Sequence, residues 1–186
     1  MAILGVIASG ISGNLFAPSG AYDSIATVTV STSVASVTFS GIPNTYTHLQ
    51  LRGISRNVSS GIDQLYISSI NGASSTMSNH VLYGQGSAAT SFGADNQSQI
   101  TVAAIAGSSQ TAGIFGAFVI DILDYANTNK YKTFRSLSGV DANGSGYLWY
   151  TSSLSQVSGA ISSFTLAPSV NIDQYSSFAL YGIKGA

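Results

Sequence analysis

The sequence has no glutamate and no cysteine, and only 7% of its 186 residues carry a charge. Lack of cysteine excludes a disulfide framework and thiolate metal sites, and it leaves the redox compartment open. Six Lys and Arg stand against seven Asp, for a formal net charge of −1. That balance offers no basic footprint, so neither nucleic acid nor an anionic membrane is expected as a partner. No apolar run reaches the 18 residues of a membrane span. Met1 to Ala8 is apolar, but it lacks the basic start of a secretory signal and is broken by Gly and Ser by position 10. A soluble protein made in a cytoplasm is the expectation. An average globular chain is roughly 25% charged. This one, with a mean hydropathy of +0.29, must build its surface from Ser, Thr, Asn, Gln and Gly. Such a surface suits a subunit that hides much of itself in an assembly.

Recognisable chemistry is also scarce. There is no G-x-S-x-G elbow, no S-x-x-K set and no G-x-x-x-x-G-K-[ST] phosphate loop. His48 and His80 are the only histidines, and neither has an acid or a second His at ligand spacing. Asp121 and Asp124 invite a paired-carboxylate reading, but a spacing of three on a strand sends them to opposite faces. Asp124, beside Tyr125, better suits the opening of a turn. Asp141-Ala142-Asn143-Gly144-Ser145 alternates oxygen donors like the start of a calcium loop, yet the closing bidentate Glu is missing. An Asx-rich hairpin turn is the competing reading. No enzyme, cofactor or metal is expected.

What the chain does have is short β-branched and aromatic runs separated by turn residues. Ile25 to Ser40 reads as a hairpin of two β-branched arms ending at Gly41-Ile42-Pro43-Asn44. After that turn, Leu49 and Leu51 alternate with His48, Gln50 and Arg52, the period of a half-buried strand. Asp63 to Asn71 is a further strand, expected to pair with the one before it. Residues 72 to 98 are small and polar and read as the longest loop. Ile100 to Ile105 is a strand, and Gly113 to Tyr125 is the most apolar run of the molecule. Its β-branched and aromatic content makes it a central strand buried on both faces. Ala126 to Asn129 then turns the chain into a hairpin partner, Lys130 to Ser138. Tyr147 to Ser155, Ile161 to Ala167 and Ser177 to Lys184 follow as strands. The result is about ten strands with turns every 8 to 12 residues, an all-β sandwich or barrel in one domain over 23–186. Residues 1–22 form an N-terminal arm whose apolar side chains Ile3, Leu4, Val6, Ile7, Leu15 and Phe16 are candidate contacts to a neighbouring subunit or shell. A first strand tucked into the same sandwich is the competing reading of that segment. Tyr83, Phe92, Tyr147 and Trp149 are candidate ligand-facing aromatics, because flat rings with polar edges suit sugars. Tyr147 and Trp149 share a strand face and could equally be core.

The segment Asp23-Ser-Ile-Ala-Thr-Val-Thr-Val, with Val37-Thr-Phe-Ser-Gly-Ile-Pro-Asn-Thr-Tyr-Thr-His-Leu-Gln-Leu-Arg-Gly-Ile-Ser-Arg after it, resembles small virion structural proteins of tailed bacteriophages, many of them cyanophages. The opening Ile3-Leu-Gly-Val-Ile-Ala-Ser and the closing Ala179-Leu-Tyr-Gly-Ile-Lys-Gly resemble the same group. The likeness touches the first third and both ends; the middle matches in composition only. It implies a jelly-roll-like antiparallel sandwich that assembles as a homotrimer on the virion, bound to the major capsid protein or another virion protein. The role it implies is capsid cement or decoration, bridging capsomers. The alternative is a tail-fibre or head-fibre domain that recognises a host surface glycan through Tyr83, Phe92, Tyr147 and Trp149.

Overall fold

The computed structural model describes residues 21–185, and among them every regular element is a strand. There are twelve: β1 (Tyr22–Thr29), β2 (Val37–Phe39), β3 (His48–Ser55), β4 (Asp63–Ile70), β5 (Met77–Gln85), β6 (Ala88–Gln97), β7 (Ile100–Ile105), β8 (Gly116–Leu123), β9 (Lys132–Asp141), β10 (Gly146–Ser155), β11 (Phe164–Pro168) and β12 (Ser177–Ile183). They form two antiparallel sheets of unequal width. The wide sheet runs β1-β12-β3-β8-β9-β10-β5-β6 and the narrow one β2-β11-β4-β7. The expected all-β antiparallel sandwich is therefore present, with twelve strands where the turn spacing suggested about ten. The expected arm contacts Ile3, Leu4, Val6, Ile7, Leu15 and Phe16 lie outside the described residues.

Alternation along β3 and β8 shows why these segments are strands. Leu49 and Leu51 are fully buried, as are Ile120 and Ile122, while the residues between them point to the other face. Inward side chains of β3, β8 and β12 meet those of β2, β4 and β11 in one apolar core that includes Leu51, Ile67, Ile120, Phe164, Leu166, Phe178 and Leu180. Phe39 and Phe164 stack across β2 and β11 with ring centres 5.3 Å apart. Burial of one face makes register strict, because a slip of one residue would turn the whole apolar set outward.

Three expectations are corrected. Ile25 to Ser40 is not a hairpin: β1 pairs with the last strand, β12, whereas β2 crosses to the narrow sheet and pairs with β11. Asp63 to Asn71 does not pair with the strand before it; β4 lies in the other sheet between β11 and β7. In both cases local composition favours a strand but says nothing about which sheet it joins, a choice made by contacts with strands far along the chain. Residues 72 to 98 are not a loop. β5 and β6 form a hairpin closed by Gly86-Ser87, with Gly86 at φ 57, a conformation glycine adopts without steric cost. β6 is solvated along nearly its whole length, so it carries no apolar period to betray it. The Gly113–Tyr125 run does form a central strand, β8. Its inward face is fully buried, and its outward face is half-buried but for exposed Ala117.

Elsewhere the chain is held by buried polar anchors. Arg56 donates to the carbonyls of Ser108, Gln110, Thr111 and Ile114 at 2.9–3.0 Å, which clamps the loop between β7 and β8. Lys132 is fully buried, and its ammonium donates to the carbonyls of Asn127 and Lys130 at the β8–β9 turn. Burial pushes its pKa down. Tyr125, also fully buried, donates its hydroxyl to the carbonyl of Pro43, joining that turn to the one before β3.

Candidate functional site

A wide sheet paired with a narrow one leaves part of the wide sheet without a cover. β7, the outer strand of the narrow sheet, lies across β9 and β10, and β5 and β6 project beyond it. Along the inner face, Trp149 of β10 is directly opposite Tyr83 of β5, and Tyr147 sits two residues along the same face. Phe92 of β6 pairs with Val81 and so arrives beside Tyr83. All four candidate aromatics therefore converge, although they come from three strands and from 66 positions of sequence. Tyr83 and Trp149 have ring centres 5.6 Å apart, Phe92 meets Trp149 edge-on at 5.8 Å, and Tyr147 meets Trp149 edge-on at 6.4 Å. Offset and edge-on geometries of this kind are the favoured ones for aromatic pairs.

These rings form one wall of a cleft of about 250 Å³, and Ile62, Asp63 and Gln64 at the start of β4 form the other. Trp149 is only 6% exposed and belongs to a small apolar cluster with Val81, Ala104, Ala106 and Val140. Phe92, at 37% exposed, stands at the mouth. The polar wall is firmly set. Asp63 accepts from the side chains of Asn57 and Ser169 on one carboxylate oxygen and from the Gln64 amide N–H on the other. Thr101 donates to Gln64 Oε1 at 2.8 Å, which turns the Gln64 Nε2 group into the end available to a ligand. The Trp149 indole Nε1 is buried with no partner among the described residues. No lysine or arginine lines the cleft.

The opposite, outer face of the wide sheet is the second unusual surface. Its residues fall into cross-strand rows. One row reads Arg52, Val119, Leu137, Tyr150 and Leu82 across β3, β8, β9, β10 and β5, and the next reads Ile54, Ala117, Gly139, Leu148 and Gly84. Leu148, Leu82 and Leu137 are 61%, 57% and 52% exposed. Large side chains beside Gly and Ala give this face ridges and hollows. A polar row borders it: Arg52 donates to Gln50 Oε1 at 2.6 Å, Gln50 to Asp121 Oδ1 at 2.8 Å, and Arg135 to Asp121 Oδ2 at 3.0 Å. The Arg52 guanidinium also lies over the rings of Tyr22 and Tyr181. Sequence reading missed this face, since each apolar residue on it looks, within its own strand, like an ordinary core position.

The other candidates do not assemble into a site. Asp121 is on the outer face, and Asp124 opens the β8–β9 turn at φ 50, so the two carboxylates diverge as their spacing predicts. Asp124 accepts from Lys130 Nζ at 2.7 Å, and that hydrogen bond holds its carboxyl below the usual range. His48 Nδ1 accepts the Asp124 amide N–H, which places its proton on Nε2. His80 is on the outer face of β5, stacked over Gly93. In the loop of Asp141 to Gly146, the Asp141 carboxylate accepts from the Asn143 amide at 2.9 Å, and Asn143 takes φ 56, the geometry of an Asx turn. Among the described residues no three His or Asp side chains gather as a metal site would require. The chain matches no family model, no curated protein and no solved structure.

Proposed function

We propose that this protein is a structural subunit of a tailed-phage virion, a cement or decoration protein that assembles through the outer face of its wide sheet. The observation that carries the reading is that face itself, an uncovered sheet centre built of Ile54, Leu82, Leu137, Leu148 and Tyr150. Contiguous apolar surface of this kind marks an interaction site on a soluble chain. Eight strands about 4.8 Å apart and about eight residues long at 3.4 Å each make a face on the order of 900 Å². A standard protein interface uses about 800 Å² per partner, so one sheet face is enough. The occupant we assign is another copy of this chain. Arg135 and Asp121 beside the apolar rows are already paired to each other, Arg52 at their edge lies over the rings of Tyr22 and Tyr181 and donates to Gln50, and the ridges and hollows between suit packing against a second sheet. The sparse charge of the chain and its likeness to phage virion proteins point the same way. On a capsid, subunits joined in this manner stabilise the lattice positions they bridge by mass action.

Light scattering on the purified chain tests the self-contact. An oligomer is expected, and the homotrimer that the likeness to phage virion proteins implies would have three times the 19.1 kDa chain mass. Leu137→Asp puts a charge at the centre of the face and should give a monomer with an unchanged circular dichroism spectrum. A wild-type chain that is monomeric at tens of micromolar would overturn the assignment. Copy number per virion tests the role: a ratio near one to one with the major capsid protein is the expected result, and a few copies per particle would move the protein to the tail.

A further inference from the structure

We propose that the aromatic cleft between β5, β6, β10 and the start of β4 is a binding site for a single neutral sugar ring. This goes beyond the assembly reading, because the cleft opens on the inner side of the wide sheet, away from the face assigned to self-contact.

Size, charge and polarity each narrow the ligand. A volume of about 250 Å³ falls just under the roughly 300–1,000 Å³ of sites for drug-sized ligands, so the cleft accepts one ring and not an extended chain within it. Charge excludes an anion, which would find no cation, since among the described residues Lys and Arg are missing from the lining and the wall carries the Asp63 carboxylate, held in place by three neutral donors. Polarity excludes a hydrocarbon. The wall opposite the rings presents the Gln64 amide, oriented by Thr101, and the aromatic wall includes the hydroxyl-bearing Tyr83 and Tyr147. A pyranose answers both walls, with C–H faces that stack on rings and hydroxyls that pair with an amide. Trp149, 6% exposed, contributes its ring to the cleft wall, while its Nε1 is buried behind that wall without a partner among the described residues.

Trp149 is the only tryptophan of the chain, so fluorescence excited selectively in the indole band, where tyrosine does not absorb, reports on this cleft. The full-length chain is titrated with glucose, galactose and N-acetylglucosamine, and with glucuronate as the anionic control, and is then applied to an array of neutral glycans. The expected result is a saturable fluorescence change with at least one neutral sugar and none with glucuronate. Gln64→Ala should weaken that binding at least tenfold while the circular dichroism spectrum and oligomeric state stay unchanged. Tyr147→Leu, which keeps the apolar volume but loses the ring face, should weaken it similarly. Absence of binding to every neutral sugar and array glycan overturns the proposal, as does binding that both variants leave intact. Neither result bears on self-contact through Leu137, which is measured separately.

Discussion

The two ends of the sandwich are built on different rules. One inward row of the wide sheet runs Leu180, Leu51, Ile120, Ser136, Thr151 and Val81. Its first three members are fully buried leucine and isoleucine facing the narrow sheet. At β9 and β10 the row turns to hydroxyls, and the neighbouring rows do the same with Ser138 and with Ser153 beside Asn79. The change coincides with β7, the free edge of the narrow sheet, which descends onto the wide sheet there. Its Ala104 N–H is met by the Ser138 hydroxyl at 3.0 Å, a side chain doing what a neighbouring strand would do. Small hydroxyl residues let that backbone come close and offer it partners, which covers an edge that would otherwise invite pairing. Not every hydroxyl finds one: Ser136, Thr151 and Ser153 keep buried oxygens without a partner among the described residues. Apolar packing thus stabilises the closed end, while the open end gives up some of that stability for an edge seal and a cleft.

The contrast can be broken from either side. Phe164→Ala at the closed end removes a ring that is 1% exposed and stacked on Phe39. A loss of about 3–5 kcal/mol in chemical denaturation is expected, enough to threaten folding. A loss below about 1 kcal/mol would show that the closed end is not the main source of stability. Hydroxyl deletions sharpen the comparison, because they should differ in sign. Ser176, fully buried, accepts the Arg56 amide at 3.1 Å and donates to the Arg56 carbonyl, so Ser176→Ala should cost about 1–3 kcal/mol. Thr151→Val removes a hydroxyl with no partner and should be neutral or stabilising by up to about 1 kcal/mol. Equal losses in the two variants would contradict the account of the open end.

The smallest effect is one of pH. Asp124 has its pKa lowered chiefly by the hydrogen bond from Lys130, so the folded chain holds the charged form more firmly than the unfolded one. Its contribution is therefore present above the ordinary carboxylate pKa and is lost as pH falls through the lowered folded value. Asp124→Asn should flatten the acid limb of the stability curve slightly and leave its neutral part almost unmoved, as read from denaturation at stepped pH. The pair is largely solvated, so the shift will be small.

Much of the fold is legible in single segments. Alternation in β3, the apolar run of β8, its turn into β9 and the aromatic strand β10 all announce themselves, and Tyr147 and Trp149 share a face as period two requires. Sheet membership is not legible, because β2 and β11 meet across more than a hundred residues and nothing in Val37 to Phe39 names that partner. β6 is hidden for another reason. An edge strand wet on both faces needs no pattern, and its pairing is supplied by β5. The aromatic cleft was visible as four separate residues, but their convergence depends on β6 being a strand. The outer apolar face was not visible, because it exists only once five strands stand side by side.

Placement of β12 between β1 and β3 has a consequence in time. Of the twelve strands, the one made last fills the gap between β1 and β3, with seven residues paired on each side. Until it arrives, the wide sheet can grow only from β3 through β8 toward β6, and β3 waits with one row of backbone donors and acceptors open. Such an edge is a template for pairing with another nascent chain. A chain of this topology is thus most exposed to wrong partners until β12 has been made. Arrival of β12, which pairs with β1 on one side and β3 on the other, is what commits the sheet to a single chain.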